Sequence, residues 1–155
     1  MSRAPIIVLC ALLAFAGTAY AERKKLVVVV AKGSSITSIS KSDLKHCFMG
    51  DSTSADGKTL VPFNAEPKTA ERAGFDRGVL GMSPDEVGRY WVDRKVRGQS
   101  GAPRSLPSLM HVQKVVAKFP NAISYLPADQ LTADVQPIKL DDIAYTDSSY
   151  ALFSE

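Results

Sequence analysis

Residues 75–91 read Phe-Asp-Arg-Gly-Val-Leu-Gly-Met-Ser-Pro-Asp-Glu-Val-Gly-Arg-Tyr-Trp. This stretch predicts one helix ending, a sharp turn, and a second helix beginning. Gly81 stands where a left-handed residue closes a helix, and Ser83, Pro84 and Glu86 occupy the cap, first and third positions of the next. Phe75, Val79 and Met82 before the turn, and Val87, Tyr90 and Trp91 after it, recur at helical spacing. Both helices therefore present an apolar face to one core. The stretch holds no catalytic set, so it speaks for architecture rather than chemistry.

Working upstream, Thr69 can cap the first of these helices, and Ala70, Gly74 and Gly78 follow at intervals of four. Glycine inside a helix costs about 0.5–1 kcal/mol relative to alanine, so this small-residue stripe implies a close approach, by a packed neighbouring element in the first instance or else by a ligand. Further upstream, Leu26 to Ala31 is a β-branched run suited to a strand buried on both faces. Ser34 and Ser35 lie in the polar loop after it. Ser40 and Asp43 open a short helix that places Leu44, Cys47 and Phe48 on one face. Asp56 and Gly57 mark a tight turn, and a strand is expected over Thr59 to Phe63. Downstream, the Pro84 helix should run to about Arg97, and a loop covers Gly98 to Pro107. A further helix, from about Ser108 to Lys118, carries Leu109, Val112, Val116 and Phe119 on one stripe. Strands follow at Ala122 to Leu126 and Val135 to Leu140. This alternation predicts an α/β domain over residues 22–140, with a central sheet covered by helices on both faces. Residues 141–155 form an acidic, Ser/Tyr-containing tail to which no structure is assigned.

The amino-terminal segment has the parts of a signal peptide. Arg3 supplies positive charge, Ile6 to Phe15 is apolar, and Ala19-Tyr20-Ala21 is a cleavage motif, so cleavage is expected after Ala21. A membrane span needs roughly twenty apolar residues, and this run stops at Gly17. The expected product is periplasmic, without stable membrane insertion. Its single remaining thiol, Cys47, has no disulfide partner. The 155-residue chain carries a formal charge of +3, which gives no reason to propose nucleic acid as a partner.

Candidate chemistry is sparse. His46 and Cys47 are adjacent on a helix and point in different directions, so they do not form a chelating pair. A Cys47–His111 nucleophile pair requires the fold to unite them. Arg89, Arg94, Lys95, Arg97 and Arg104 are the densest basic region, either a solvated face or an interaction surface. Ser34 and Ser35 occupy a strand–helix loop of the kind where α/β sheets bind ligands. No cofactor, metal site or enzymatic activity is expected.

Several segments together resemble a known family: the strand LVVVVA, Asp43 to Gly50 (DLKHCFMG), Asp56-Gly57-Lys58, Val61-Pro62-Phe63-Asn64, Phe75 to Trp91, and Asn121 to Leu126 (NAISYL). The chain resembles the small substrate-binding proteins related to the phosphate-binding component of phosphate ABC transporters, in the type 2 periplasmic-binding superfamily. The resemblance implies a three-layer α/β lobe with a central mixed sheet. It also implies a non-enzymatic role binding a small anion such as phosphate, with an ABC permease or another envelope protein as partner. In the phosphate binders a Ser-Gly-Thr triplet sits at a helix amino terminus, and the matching positions here are Thr69, Ala70 and Glu71. Asn121 and Ser124 stand where the family has glycines. Two expectations follow. The first is a solute binder using Ser34, Ser35, Thr69 and Arg72. The second is a single lobe serving as an envelope interaction or sensory module, with Arg89, Arg94 and Arg97 as its contact surface.

Overall fold

The computed structural model describes residues 22–99 and 101–155. The signal peptide expected over residues 1–21 lies outside the described residues. The chain opens with β1 (Leu26–Ala31), every residue of which is buried. β2 (Ser38–Ile39) leads into α1 (Lys41–Phe48). Ser40 caps α1 by accepting from the Asp43 amide at 3.0 Å, and its hydroxyl donates to the Asp43 carboxylate at 2.8 Å. β3 (Ser54–Ala55) and β4 (Lys58–Thr59) then form a small hairpin. Its two turn residues, Asp56 and Gly57, both have positive φ, as the tightest hairpins require. The strand expected over Thr59 to Phe63 is in fact split. Thr59 belongs to the hairpin, the amide of Leu60 bonds back to Thr53, and the main sheet receives β5 (Val61–Asn64).

α2 (Ala70–Phe75) is capped by Thr69 and continues as one wide π-helical turn, Asp76–Leu80, closed by Gly81 at φ 70°. Next, α3 (Pro84–Val96) has the full reciprocal capping box. The Ser83 hydroxyl accepts from the Glu86 amide, and the Glu86 carboxylate accepts from the Ser83 amide at 2.7 Å. The loop beyond it contains a two-residue strand, β6 (Arg104–Ser105), followed by α4 (Leu109–Lys118) and β7 (Ala122–Pro127). Phe119 leaves the α4 stripe because the backbone turns extended at that residue, and its ring is half exposed. The last predicted strand also divides, at Ile138, into β8 (Val135–Pro137) and β9 (Lys139–Leu140).

The main sheet has the order β6-β5-β7-β1-β8. β5 runs parallel to both β6 and β7, whereas β1 runs antiparallel to β7 and β8. The sheet is therefore mixed, with helices on both faces. Alternate residues of β1 sort into two cores. Leu26, Val28 and Val30 pack with α1 and α2, and Val27 and Val29 pack with Val112 and Val116 of α4. At the centre of the larger core the Phe75 ring stacks on Tyr125 at 3.9 Å, and Phe48 lies 4.6 Å from Phe75. Stacked pairs of this kind add about 1 kcal/mol beyond their buried area.

Residues 141–155, left unassigned from sequence, are part of this core. Tyr150, Leu152 and Ser154 are buried, and the Leu152 carbonyl accepts from the Leu26 amide. This segment is also the neighbour that the small-residue stripe anticipates. A Cβ added to Gly74 would sit 2.1 Å from the Phe153 carbonyl oxygen, and one on Gly78 would sit 2.6 Å from a Leu152 methyl. Gly88 in α3 differs, since a Cβ there meets nothing within 4 Å. Thermal unfolding should separate the two cases. Gly74→Ala must displace backbone and should lower stability by about 2 kcal/mol or more, while Gly88→Ala should raise it by about 0.5–1 kcal/mol. Equal effects at the two positions would contradict this packing.

Candidate functional site

Because β5, β6 and β7 are parallel, their carboxyl ends share one edge of the sheet, the edge where α/β folds bind ligands. Asn64 ends β5 there and is buried, its side-chain carbonyl accepting from the Tyr125 hydroxyl at 2.8 Å. The same hydroxyl accepts from the Ala65 amide at 3.4 Å. Burial pushes the Tyr125 phenol well above its ordinary value, so it stays protonated and able to donate. Thr69 follows on the edge. Its hydroxyl donates to the Glu66 carbonyl at 2.8 Å and accepts from the Arg72 amide at 3.3 Å.

Arg72 is held inside this edge rather than projecting from it. Its Nε donates to both carboxylate oxygens of Asp76 at 3.1 and 3.2 Å, and Nη1 reaches the Ala65 carbonyl at 3.3 Å and the Ser105 hydroxyl at 3.4 Å. The pair is secluded, with side-chain exposures of 11% for Arg72 and 2% for Asp76. Burial raises the Asp76 carboxyl above its ordinary value, and the Arg72 charge and hydrogen bond pull it back only in part. Asn64, Asp76, Ser105 and Tyr125 are not among the ligand residues expected from sequence. Only the Arg72–Asp76 pair carried a signal, its spacing of four on a helix.

The four expected ligand residues do not converge. The β1 register pairs Leu26 with Pro127 and Val30 with Ile123, while Val61 of β5 pairs with Ala122. The carboxyl end of β1 thus lies beside the amino ends of β5 and β7. Ser34 and Ser35 follow that end, across the sheet from Thr69 and Arg72, and six strand residues span roughly 20 Å. Their local contacts agree. The Ser34 carbonyl accepts from Gln136, and Lys58 Nζ, just before β5, is 3.5 Å from the Ser35 hydroxyl. The described geometry thus sets the two serines at one end of the sheet and Thr69 and Arg72 at the other.

The arginine trio on α3 is also divided. Arg94 turns inward, its guanidinium 5.6 Å from both the Tyr90 and Trp91 rings and donating to the Tyr90 hydroxyl at 3.0 Å. Arg97 faces solvent and pairs with Asp93 at 2.9 Å, and Arg89 is exposed. Cys47 and His111 are separated by the sheet, since Cys47 packs in the α1 core and His111 lies on α4, where its Nδ1 meets the Ser108 hydroxyl at 2.8 Å. Exposed His46 instead pairs with Asp51. Among the described residues, no group of three or more His, Cys, Asp or Glu side chains is placed to hold a metal ion.

Asn121 and Ser124, which stand where the resembled family has glycines, have a local use. The Asn121 amide donates to the Thr59 carbonyl at 3.0 Å and the Ser124 hydroxyl to the Phe63 carbonyl at 2.7 Å, tying β7 to the chain leading into and through β5.

No family model matches the sequence. No significant match is found among curated proteins. Solved structures do match. A phosphate ABC transporter substrate-binding protein of Clostridium perfringens, solved with bound phosphate, aligns at TM-score 0.67 and 14% identity, covering 85% of this chain and 53% of that one. The chain shares the fold of about half of that protein, one α/β lobe. An ABC-type phosphate transport receptor of Vibrio cholerae aligns at TM-score 0.59 and 14% identity, over 77% of this chain and 47% of that one. PstS of Borrelia burgdorferi aligns at 0.62 and 11%, over 86% and 55%. The chain thus spans about half the length of the solved structures it matches. No helix among the described residues is long and apolar enough to cross a membrane.

Two measurements probe these environments. A carboxyl whose folded value is raised contributes stability that is complete below the unfolded aspartate value of about 4 and is lost as pH rises through the folded value. In urea unfolding, the stability of the wild type relative to Asp76→Asn should therefore be greatest at the acid end and shrink as pH rises; a pH-independent difference would contradict the assignment. Burial pushes the Cys47 thiol up to about 12. At pH 8 the native protein should react with a thiol-specific disulfide reagent far more slowly than the urea-unfolded protein.

Proposed function

We propose that this chain works in the cell envelope as an exported binding-protein lobe that docks a macromolecular partner across the carboxyl edge of its sheet. The observation that carries this reading is the internal satisfaction of that edge. Arg72 is engaged by Asp76, Ala65 and Ser105, Thr69 by Glu66, and Tyr125 by Asn64. A free anion must be desolvated on binding and needs donors that are not already committed. A broad partner surface instead uses exposed groups at the rim, here Glu66 and Ser105. The export motif ending at Ala21 supports the location, and the likeness to transport receptors supports an ABC permease or another envelope protein as the partner.

A second reading keeps the small anion. The neighbour solved with bound phosphate favours it, with Thr69 offering a hydroxyl at a helix start. Titration calorimetry with phosphate and with sulfate distinguishes the two. Flat traces from folded protein are expected here, whereas saturable heat that Thr69→Ala weakens would establish the anion instead. Capture from an envelope fraction should also retain one reproducible protein that is lost with the exposed-edge variant Glu66→Lys/Ser105→Trp. Retention unchanged by that variant would overturn docking at this edge.

A further inference from the structure

Among the described residues, nothing covers the outer face of α3. Val92 and Val96 are 65% and 82% exposed, one turn apart, and Gly88 lies one turn before them. With Asp85, Arg89 and Asp93 they line an open hollow of about 570 Å³. The glycines of α2 and its π-helical turn are explained by close contacts inside the chain, but Gly88 is not, because a side chain there would meet open space. A helix-interior glycine that its own fold does not require costs stability. Its use is to admit something from outside.

The charges along this face say what that something is. Asp85, Arg89, Asp93 and Arg97 alternate in sign every four residues, all exposed. The face is balanced, so it has no net attraction for an anionic lipid surface or a phosphate backbone. Its pattern is self-complementary. If a second α3 is laid antiparallel about a two-fold axis level with residue 91, Asp85 falls opposite Arg97 of the second copy and Arg89 opposite its Asp93. The two-fold then repeats both pairs, as an isologous interface requires. At that register the Gly88 gap of each helix receives the valine ridge of the other.

We infer that a second copy of this chain docks on the outer face of α3, two-fold and antiparallel, through Gly88, Val92 and Val96 with Arg89–Asp93 and Asp85–Arg97 pairs across the interface. The helix is roughly 20 Å long, so the contact is small and the dimer is weak and concentration-dependent. This surface uses none of the carboxyl-edge residues.

Sedimentation velocity of the purified chain, from low micromolar to near-millimolar protein, tests the assignment. A reversible monomer–dimer shift that weakens with added salt is expected. Arg89→Asp sets like charges opposite each other twice and should weaken dimerisation about tenfold or more. Arg89→Asp combined with Asp93→Arg restores opposite signs and should bring association back toward the wild-type value. Because both positions are solvent-exposed, melting curves of the variants should confirm that they fold. Monomer at every concentration, or dimerisation unaffected by Arg89→Asp in folded protein, would overturn the inference. A folded double variant that fails to recover would overturn the pairing.

Discussion

Everything in this lobe depends on β1 being a strand that can neither face water nor run with its neighbours. Its six residues are fully enclosed, alternate side chains feeding separate cores on the two faces of the sheet. A strand buried on both sides must have helices above and below it, which fixes the three layers. Its direction matters as much as its burial. Running antiparallel to β7 while β5 runs parallel to it, β1 carries the loop after it to the edge opposite the loops after β5 and β7.

Desolvation dominates the carboxyl edge. A guanidinium only 11% exposed cannot remain there without a counter-charge, and Asp76 supplies one from the next turn of the same helical run. The i,i+4 spacing of the helix sets the Asp76 carboxylate against Arg72, and the run widens into a π-helical turn only from Asp76 onward, just after Phe75, whose ring stacks on Tyr125. The polar groups of the edge are thus arranged chiefly toward one another. What reaches solvent around it is a rim of mixed charge, with Glu66, Lys68, Arg104 and Ser105 exposed and Thr69 and Glu71 partly so.

Much of this was legible in the sequence where the determinant is local. Ser83 with Glu86, Gly81, Thr69 and Asp56-Gly57 each specify a cap or turn by chemistry within four residues, and each forms as read. The buried run of β1 and the stripe of α4 through Val112 and Val116 were equally plain, and the single-lobe α/β fold with them. Non-local determinants were not legible. Strand direction is set by pairing partners about a hundred residues away, so Ser34 and Ser35 looked compatible with Thr69. Arg94 looked like its neighbours Arg89 and Arg97 because nothing in the sequence distinguishes a guanidinium stacked on Tyr90 and Trp91 from one in solvent. Residues 141–155 looked like a tail because Tyr150 and Leu152 are spaced irregularly. They find their places against Gly74, Gly78 and the start of β1, all distant in sequence.

The closure of residues 150–155 onto β1 carries one more consequence. The Lys24 amide donates to the Ser154 hydroxyl at 2.8 Å, the Ser154 amide donates to the Lys24 carbonyl, and Lys25 bridges to Phe153. The described chain enters and leaves this fold at one point, side by side. A unit of this form can be carried as a cassette. It can sit within a longer polypeptide through two adjacent crossings, or be excised from one without cutting its core.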